Sequence, residues 1–508
     1  MGVPCAVFGL SFLNTNEPRH AVESDSGMKR LVFPIVLCFV LILILCSCSD
    51  DVYKPEKTEL IVKPDTTVFL CNGQDVLLSI SAAPGIESFD SIQWYETDKN
   101  GNSPIVIEGA NSLEYEVPAF DAGQIRYFFC KVSKGNNTDT SKVFSVARTG
   151  LPVVSITTYG EEITKEEWID DVVDFNGDIV TGKIKGRGNS SWHFNKKSFS
   201  LKLDDKAPLF GMPEHKRWVL IGNGIDDSLL RNYFASYLGT EVFTGHGWNP
   251  SFVFVDLVMD GTYWGNYLLG EQIKISKKRV NIKDIKDAGV GNGGFILEVN
   301  VWKDEDFNFV TKQGVAISLK DPDEVSQEIQ QHVQNIIQEA EDVLFSDDFK
   351  NPDTGYAKYF DVASVIDWYL VNEITSNFDA SFRTSVYMYY DNTDGKIHMG
   401  PNWDFDRSCG IGIRNVKSLH IQKSKWMKRF FEDSAFVEAV KTRYTEVRDE
   451  LEYAANGMLT EMAGNISVSA ELNNARWKIR DDYESSVETL QTWLNERLAW
   501  LDDLWLDR

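Results

Sequence analysis

The alternation of apolar and polar residues predicts that the first third of the chain is built from short strands. Between residues 55 and 148, the segments "DVLLSISA", "SIQWYET", "SLEYEVP" and "IRYFFCKVS" alternate with a period of two, and polar turns such as "DKNGNSP" separate them. This alternation is typical of strands with one buried face. We therefore expect an all-β sandwich over about residues 49–149.

A second strand-rich region follows the turn at Gly150 and Pro152 and ends near Ile273. One helical segment, "DDSLLRNYFASYLG", interrupts its predicted strands, which are "DIVTGKIKGRG", "KSFSLKL", "SFVFVDLVM" and "TYWGNYLLGEQI". Beyond residue 274 the apolar period becomes helical. The first long helix is predicted from "DPDEVSQEIQQHVQNIIQEAEDVLF", with Asp321 as its cap and Pro322 as its first residue.

The segment "SVYMYYDNTDGKIHM" predicts a β-hairpin whose turn lies near Thr393. Asp379 precedes the hairpin and Asp404 follows it, at similar distances from the turn. Antiparallel pairing brings the open ends of the two arms together, so we expect these two carboxylates to meet. Like charges at close range favour a bound cation, and carboxylate oxygens suit Mg²⁺ or Mn²⁺. Asp406 lies two residues further on, in "WDFD".

The upstream strands offer groups that suit phosphates. "GKIKGRGNSSW" places three glycines around a turn, and glycine lets backbone N–H groups approach an anion. In the next strand, "KKSFSLKL", the side chains of Ser198, Ser200 and Lys202 share one face. A lysine on a strand beside such a turn can reach phosphate as a point charge. "GDIVTGKI" is not a P-loop, because Ile184 stands where a Ser or Thr would hold Mg²⁺.

Composition and the N-terminal sequence indicate the number of domains, exclude one class of partner and predict the cellular location. A chain of 508 residues suggests two or three domains, and a net charge of −25 argues against nucleic-acid binding. From Met28, two basic residues and an apolar run form an export signal, and an uncleaved membrane anchor is the alternative. The following "LCSCSDD" resembles a bacterial lipobox with Cys48 as the lipidated residue, and its acidic end resembles the surface-export signal of Bacteroidetes lipoproteins. We thus expect residues 1–48 to be a signal segment, and the mature protein to lie at the outer membrane or cell surface.

Two further cysteines point to the nature of the first domain. Cys71, Trp94 and Cys130 occur in the order found in immunoglobulin-like sandwiches, and "DAGQIRYFFCKV" resembles the segment before the second cysteine of that fold. Because an exported chain can form disulfides, Cys71 and Cys130 are a candidate pair. Any other β-sandwich with two incidental cysteines is the alternative.

Seven segments then match one family in order. "KGRGNSSW", "KKSFSLKL", "DDSLLRN", "GTYWGNYLLGEQI", "GGFILEVN", "GPNWDFD" and "ERLAWLDD" resemble the CotH kinase family, of the spore coat protein H type, from about Leu151 to the C-terminus. The resemblance implies an α+β, bilobal, atypical protein-kinase fold over residues 150–508, with a small lobe at about 150–273 and a helical lobe at about 274–508. It further implies a secreted or surface enzyme that uses ATP and a divalent metal to phosphorylate serine or threonine of proteins.

The same resemblance assigns roles by position. It implies that Asp379 accepts the proton of the substrate hydroxyl, and that Asp404, assisted by Asp406, holds the metal. The residues that it places at the nucleotide are Lys202 or, as a second choice, Lys197 for the phosphates, with Gly186, Arg187 and Gly188 in the turn and Glu271 near the adenine.

Departures from the kinase pattern leave alternatives open. Thr384 stands where a kinase has its second metal ligand, an asparagine, and the predicted helix shows no glutamate to pair with a lysine. A catalytically degenerate surface protein that binds proteins or glycans is therefore the alternative. A metal-dependent hydrolase is disfavoured, because His398 and His420 lack the spacing of metal ligands.

Overall fold

The computed structural model describes residues 59–64, 67–71, 73–479 and 482–506. The predicted signal segment, including Cys48, lies outside the described residues. In the described part of the chain, no helix has the length and apolar character needed to cross a membrane. The residues from Glu59 onwards form one compact unit, so the N-terminal β region, the barrel and the helical region described below pack together.

Ten strands form the N-terminal β region, and Trp94 and Cys130 face each other across its two central strands, β5 and β8. The largest sheet has the order β2-β10-β8-β5-β6, with β9 paired to β8, while β1 pairs with β4 and β3 with β7. The strands are β1 (Ile61–Val62), β2 (Val68–Leu70), β3 (Val76–Ser79), β4 (Ser81–Ala82), β5 (Ser91–Thr97), β6 (Ile105–Val106), β7 (Glu114–Val117), β8 (Gln124–Lys134), β9 (Asn137–Thr140) and β10 (Phe144–Arg148). Its assignment to the immunoglobulin class stays a prediction.

Cys71 and Cys130 are both buried free thiols in the same hydrophobic core, so the predicted disulfide is not formed in this structure. The Cys71 thiol instead donates to the carbonyl oxygen of Gln74 at 2.8 Å. Burial raises the pKa of the Cys130 thiol to about 12, which keeps it protonated and unreactive.

The next seven strands close into a barrel in the order β11-β12-β13-β14-β15-β17-β16. Alternate residues point inwards, so Phe199, Leu201 and Leu203 of β14 lie in the barrel core while Ser198 and Ser200 face outwards. The strands are β11 (Val153–Thr157), β12 (Ile169–Phe175), β13 (Asp178–Arg187), β14 (Ser198–Leu209), β15 (Met212–Ile221), β16 (Phe252–Met259) and β17 (Thr262–Glu271).

The remainder of the chain combines a five-stranded sheet, of order β19-β20-β18-β21-β22, with helices. Its strands are β18 (Phe295–Val299), β19 (Asn308–Val310), β20 (Ala316–Asp321), β21 (Val386–Asp391) and β22 (Lys396–Met399). The helices of the described chain are α1 (Arg231–Tyr237), α2 (Ile285–Ala288), α3 (Gln327–Leu344), α4 (Val362–Ile374), α5 (Lys425–Phe430), α6 (Ser434–Glu446), α7 (Arg448–Tyr453), α8 (Leu459–Trp477) and α9 (Tyr483–Trp505).

Helix α3 begins later than the sequence predicted. Its N-cap is Ser326, whose hydroxyl accepts the N–H of Ile329, rather than Asp321. Asp321 instead ends strand β20, and its carboxylate accepts bonds from Lys274 Nζ at 2.9 Å and from the N–H of Ile275 at 2.6 Å. Asp321 therefore binds Lys274 and Ile275 and does not cap helix α3.

One buried carboxylate joins the three parts of the chain. Asp256 of the barrel accepts hydrogen bonds from Thr149 at the end of the N-terminal region, from Tyr263 of β17 and from Ser469 of α8, at 2.6–2.9 Å. Burial raises the pKa of Asp256, although the three hydroxyl donors favour its charged form. Because a buried carboxylate is costly unless it is satisfied, this site fixes how the three parts pack.

Candidate active site

A cavity of about 490 Å³ lies between the outer face of the barrel and the five-stranded sheet. Its volume is within the usual range for a small-molecule site. Strands β13 and β14, helix α1, strands β18 and β20 and the two segments that flank the β21–β22 hairpin contribute to its walls. The charged residues that line it are Arg187, Lys196, Glu298, Asp304, Lys320, Asp379, Arg383, Asp404, Asp406 and Arg407.

The β21–β22 hairpin delivers three aspartates to this cavity. The hairpin forms as predicted, with Met388 opposite Met399, and the segments on either side of it carry Asp379, Asp404 and Asp406. Burial, and next the charge of Asp404, raise the pKa of Asp379 to about 6. Burial and the charges of Asp404 and Asp379 likewise raise the pKa of Asp406 well above its ordinary value. The cavity therefore concentrates negative charge that a cation would relieve.

Asn377 holds the two aspartate-bearing segments in register. Its side-chain N–H₂ donates to the main-chain oxygen of Asp404 at 3.3 Å, and its side-chain oxygen accepts the N–H of Asp379 at 3.3 Å. The Ser385 hydroxyl donates to Asp404 Oδ2 at 2.8 Å. The amide of Asn372 connects Asn377 to Asn402 on the other segment. This buried network fixes the spacing of the carboxylates before any ligand binds.

Two cations with unused donors lie in the same cavity. Lys196 is 5% exposed, and its Nζ has no hydrogen-bond partner among the described residues. Its ammonium lies 5.0 Å from the centre of the Tyr267 ring, and burial lowers its pKa to about 7. Arg187 Nη1 likewise has no partner in the described chain, and its guanidinium lies 4.9 Å from the centre of the Trp403 ring. Unpaired buried donors of this kind suit an anionic ligand.

An ion pair occupies the wall formed by the five-stranded sheet. Lys320 Nζ lies 3.1 Å from Glu298 Oε2, and Lys320 also contacts Glu305. Burial alone would lower the pKa of Lys320, but Tyr387 and the two glutamates together raise it. The second Glu298 oxygen accepts the N–H of Ser385 at 3.2 Å. A lysine–glutamate pair, absent from the predicted helix, is thus formed between strands β18 and β20.

The structure does not bring either predicted lysine to the cavity. Lys202 is exposed and lies opposite Lys183 and Arg217 in the neighbouring strands. It shares a face with Ser198, which does line the cavity, but four residues of strand separate them by roughly 13 Å. Lys197 Nζ donates to the carbonyl oxygen of Trp192 at 2.7 Å. The predicted outward face of β14 is confirmed, but the lysine that lines the cavity is Lys196, which precedes the strand.

The other predicted nucleotide residues have mixed positions. Gly188 lines the cavity at a φ of +97°, whereas Gly186 lies outside it. A Cβ at Gly186 would lie 2.3 Å from Trp192, so this glycine is required by ring packing rather than by phosphate. Glu271 is buried away from the cavity, where it lies 3.6 Å from Arg279 and accepts the N–H of Ser251. The structure therefore does not support the predicted position of Glu271 near an adenine, because its carboxylate lies beside Arg279 and outside the cavity.

The sequence contained weak signals for the residues that were missed. Lys196 lies two residues before Ser198, so extending the alternation of inward and outward residues by two positions would have placed it on the same face as Ser198 and Ser200. Lys320 required knowledge of which strand pairs with β18, and no local pattern carries that information. Glu298 was noted within "FILEVN", where a charged residue interrupts an apolar strand, but without a role.

No three His, Cys, Asp or Glu side chains in the described part of the chain are arranged as a complete metal cage. Asp404 and Asp406, the two residues predicted to hold a metal, both line the cavity.

The comparison with protein families finds a match. The family model described as CotH kinase protein matches residues 184–501. A comparison with curated proteins gives no match. The matched range covers more than half of the chain and includes Asp379, Asp404 and Asp406. The chain therefore belongs to the CotH kinase protein family.

Proposed function

We propose that this protein transfers the γ-phosphoryl group of ATP to serine or threonine side chains of other proteins. The observation that carries the proposal is one cavity that holds three aspartates, of which Asp379 and Asp406 have raised pKa values, together with two buried donor atoms. These donors are Lys196 Nζ and Arg187 Nη1, which have no hydrogen-bond partner among the described residues. A triphosphate with its divalent ion complements both sets at once. Membership of the kinase family supports the same reaction class.

The residues of the chain divide the work by their chemistry. Lys196 and Arg187 bind phosphate oxygens, because these donors are buried and unused. Asp404 and Asp406 would hold the divalent ion, which when bound neutralises charge on the phosphates. Asp379 is the general base, because its pKa of about 6 leaves it ionised near neutrality yet basic enough to take a proton.

In the proposed step, Asp379 accepts the proton of the acceptor hydroxyl. The hydroxyl oxygen forms a bond to the γ-phosphorus while the bond from that phosphorus to the ADP oxygen breaks. Asn377 and Ser385 keep the carboxylates at a fixed spacing during this exchange. Positioning and charge neutralisation supply most of the acceleration in such reactions.

The test uses the Glu59–Arg508 chain with radiolabelled ATP, Mg²⁺ or Mn²⁺ and a mixture of secreted proteins. We expect label on serine or threonine, and its loss in Asp379→Asn. Nucleotide binding is measured separately as thermal stabilisation, since a ligand at a hundredfold excess over its Kd adds about 2.7 kcal/mol. Asp379→Asn should retain this stabilisation, whereas Lys196→Met should lose most of it. Neither stabilisation nor transfer in the unsubstituted chain would favour the alternative of a kinase-like binding module.

We also propose that the chain is an exported lipoprotein anchored to the outer membrane through Cys48. The motif "LCSC" after a basic and apolar segment supports this proposal. Metabolic labelling with a radioactive fatty acid should mark the full-length chain and not its Cys48→Ala variant. Equal labelling of both would refute the anchor.

A further inference from the structure

Two arginines beside the general base are not used by the step proposed above. Arg383 and Arg407 both line the cavity, and both guanidinium groups lie over the ring of Phe378, at 5.1 and 4.5 Å from its centre. Within the described residues, neither guanidinium forms a hydrogen bond or an ion pair. Each therefore offers a planar set of donors to a ligand.

The Phe378 ring holds both arginines close to Asp379. The main-chain N–H of Arg383 donates to the carbonyl oxygen of Asp379 at 3.2 Å, and the N–H of Gly412 donates to that of Arg407 at 3.1 Å. A Cβ on Gly412 would lie 2.7 Å from the Cβ of Phe378, so this turn packs tightly against the ring's base. Arg383 thus lies one turn after Asp379, the residue proposed to receive the proton of the acceptor hydroxyl, and Arg407 lies over the same Phe378 ring.

Burial of the donor atoms separates these arginines from the cations assigned to phosphate. Lys196 is buried, and Arg187 is half-buried but its Nη1 is a buried donor, whereas Arg383 is exposed and Arg407 is half-buried with no such buried donor among the described residues. A nucleotide phosphate therefore meets the buried donors of Lys196 and Arg187, and the chain that carries the acceptor hydroxyl passes Arg383 and Arg407. Residues neighbouring the acceptor lie only about 3.3–3.6 Å apart along an extended chain, so they come within reach of the arginines.

We propose that Arg383 and Arg407 form an anion site that selects protein substrates with a carboxylate or phosphate group within a few residues of the acceptor hydroxyl. This inference rests on the proposed kinase function for the identity of the acceptor. Guanidinium groups bind both anions in a two-pronged geometry, so glutamate and phosphoserine are the two sources to separate.

The experiment measures binding of fluorescent peptides to the Glu59–Arg508 chain with Mg²⁺ and ADP. Four peptides share one serine and differ in flanking residues, which are alanine, glutamate, phosphoserine or lysine. We expect the glutamate or phosphoserine peptide to bind at least tenfold more tightly than the alanine peptide, and the better of the two identifies the natural source. In Arg383→Gln and Arg407→Gln this advantage should fall below threefold.

Two further variants make the result specific. Lys303→Gln removes the same charge from an exposed residue that does not line the cavity, and it should keep the full advantage. Arg383→Lys keeps the charge but loses the planar fork, so it should restore the advantage only in part. Melting curves within a few degrees of the unsubstituted chain check that each variant folds.

The outcomes separate this inference from the proposed function. Equal affinity for the alanine and acidic peptides, or an equal loss for all four peptides in the arginine variants, would overturn the anion site. A preference for acidic peptides without any phosphate transfer would support the anion site and refute the kinase function. Transfer without such a preference would do the reverse.

Discussion

Replacing Lys196 with methionine should stabilise the protein while it weakens nucleotide binding. Lys196 is 5% exposed and its Nζ has no hydrogen-bond partner in the described chain. Burial lowers its pKa from 10.5 to about 7, so the folded state holds this proton far less tightly than the unfolded state does. Methionine has nearly the same length and no charge to desolvate.

The magnitude follows from the size of the pKa shift. A difference of about 3.5 between the unfolded and folded pKa corresponds to about 5 kcal/mol over the whole titration, at about 1.4 kcal/mol per unit. Because the folded pKa is the lower one, the cost is fully present below pH 7 and is relieved as the pH rises towards 10.5. Between pH 7 and pH 9 the unsubstituted protein should therefore gain about 2 kcal/mol of stability that Lys196→Met does not gain.

Urea unfolding of Glu59–Arg508 at pH 7 and pH 9 measures this difference directly. We expect Lys196→Met to be the more stable protein at pH 7, by up to about 4 kcal/mol, and its lead to shrink by about 2 kcal/mol at pH 9. Lys202→Met is the matched control, because Lys202 is exposed, and its effect should stay within about 0.5 kcal/mol at both pH values. A lead for Lys196→Met that is absent, or that does not change with pH, would show that Lys196 is not an unpaired buried ammonium.

Three further predictions follow from the site and the N-terminal region. Phosphate transfer should rise about tenfold per pH unit up to about pH 6 and then level off, because burial and Asp404 raise the pKa of Asp379 and only its ionised form accepts a proton; a profile already flat at pH 5 would contradict this assignment. Asn377→Ala should lower kcat at least tenfold and leave nucleotide-induced stabilisation nearly unchanged, since Asn377 positions Asp379 and Asp404 without facing the phosphates; equal losses of both would refute a positioning role. Thiol titration of unreduced, unfolded Glu59–Arg508 should find three free thiols, because Cys71 and Cys130 are unbonded, and a single thiol would restore the disulfide.

The hairpin shows how far local pattern reaches into the site. A clear turn between two alternating runs predicted β21 and β22, and antiparallel geometry alone placed Asp379 near Asp404. The inference worked because only one short connection separates the two carboxylates. Hairpin pairing depends on neighbouring residues, and a single sequence contains that information.

The lysines show where local pattern stops. Periodicity identified the outward face of β14, but every second residue of a strand shares that face, so it did not distinguish Lys202 from Lys196. Only the packing of the barrel against the rest of the chain decides which end of the face is covered and which end is exposed. The prediction that Asp321 caps helix α3 failed for the same reason: a tertiary partner binds Asp321, and Ser326 is the cap.

The amino-acid sequence by itself determined the strand-rich and helix-rich halves, the hairpin, the aspartates and the family, because these depend on short-range periodicity and on ordered motifs. The tertiary structure alone decided which cations line the same cavity as the aspartates. It also decided that Glu298 pairs with Lys320 across two strands and that Glu271 lies beside Arg279, outside the cavity. The physical reason is that burial and charge pairing depend on contacts between segments far apart in the chain, which the pattern within any one segment does not specify.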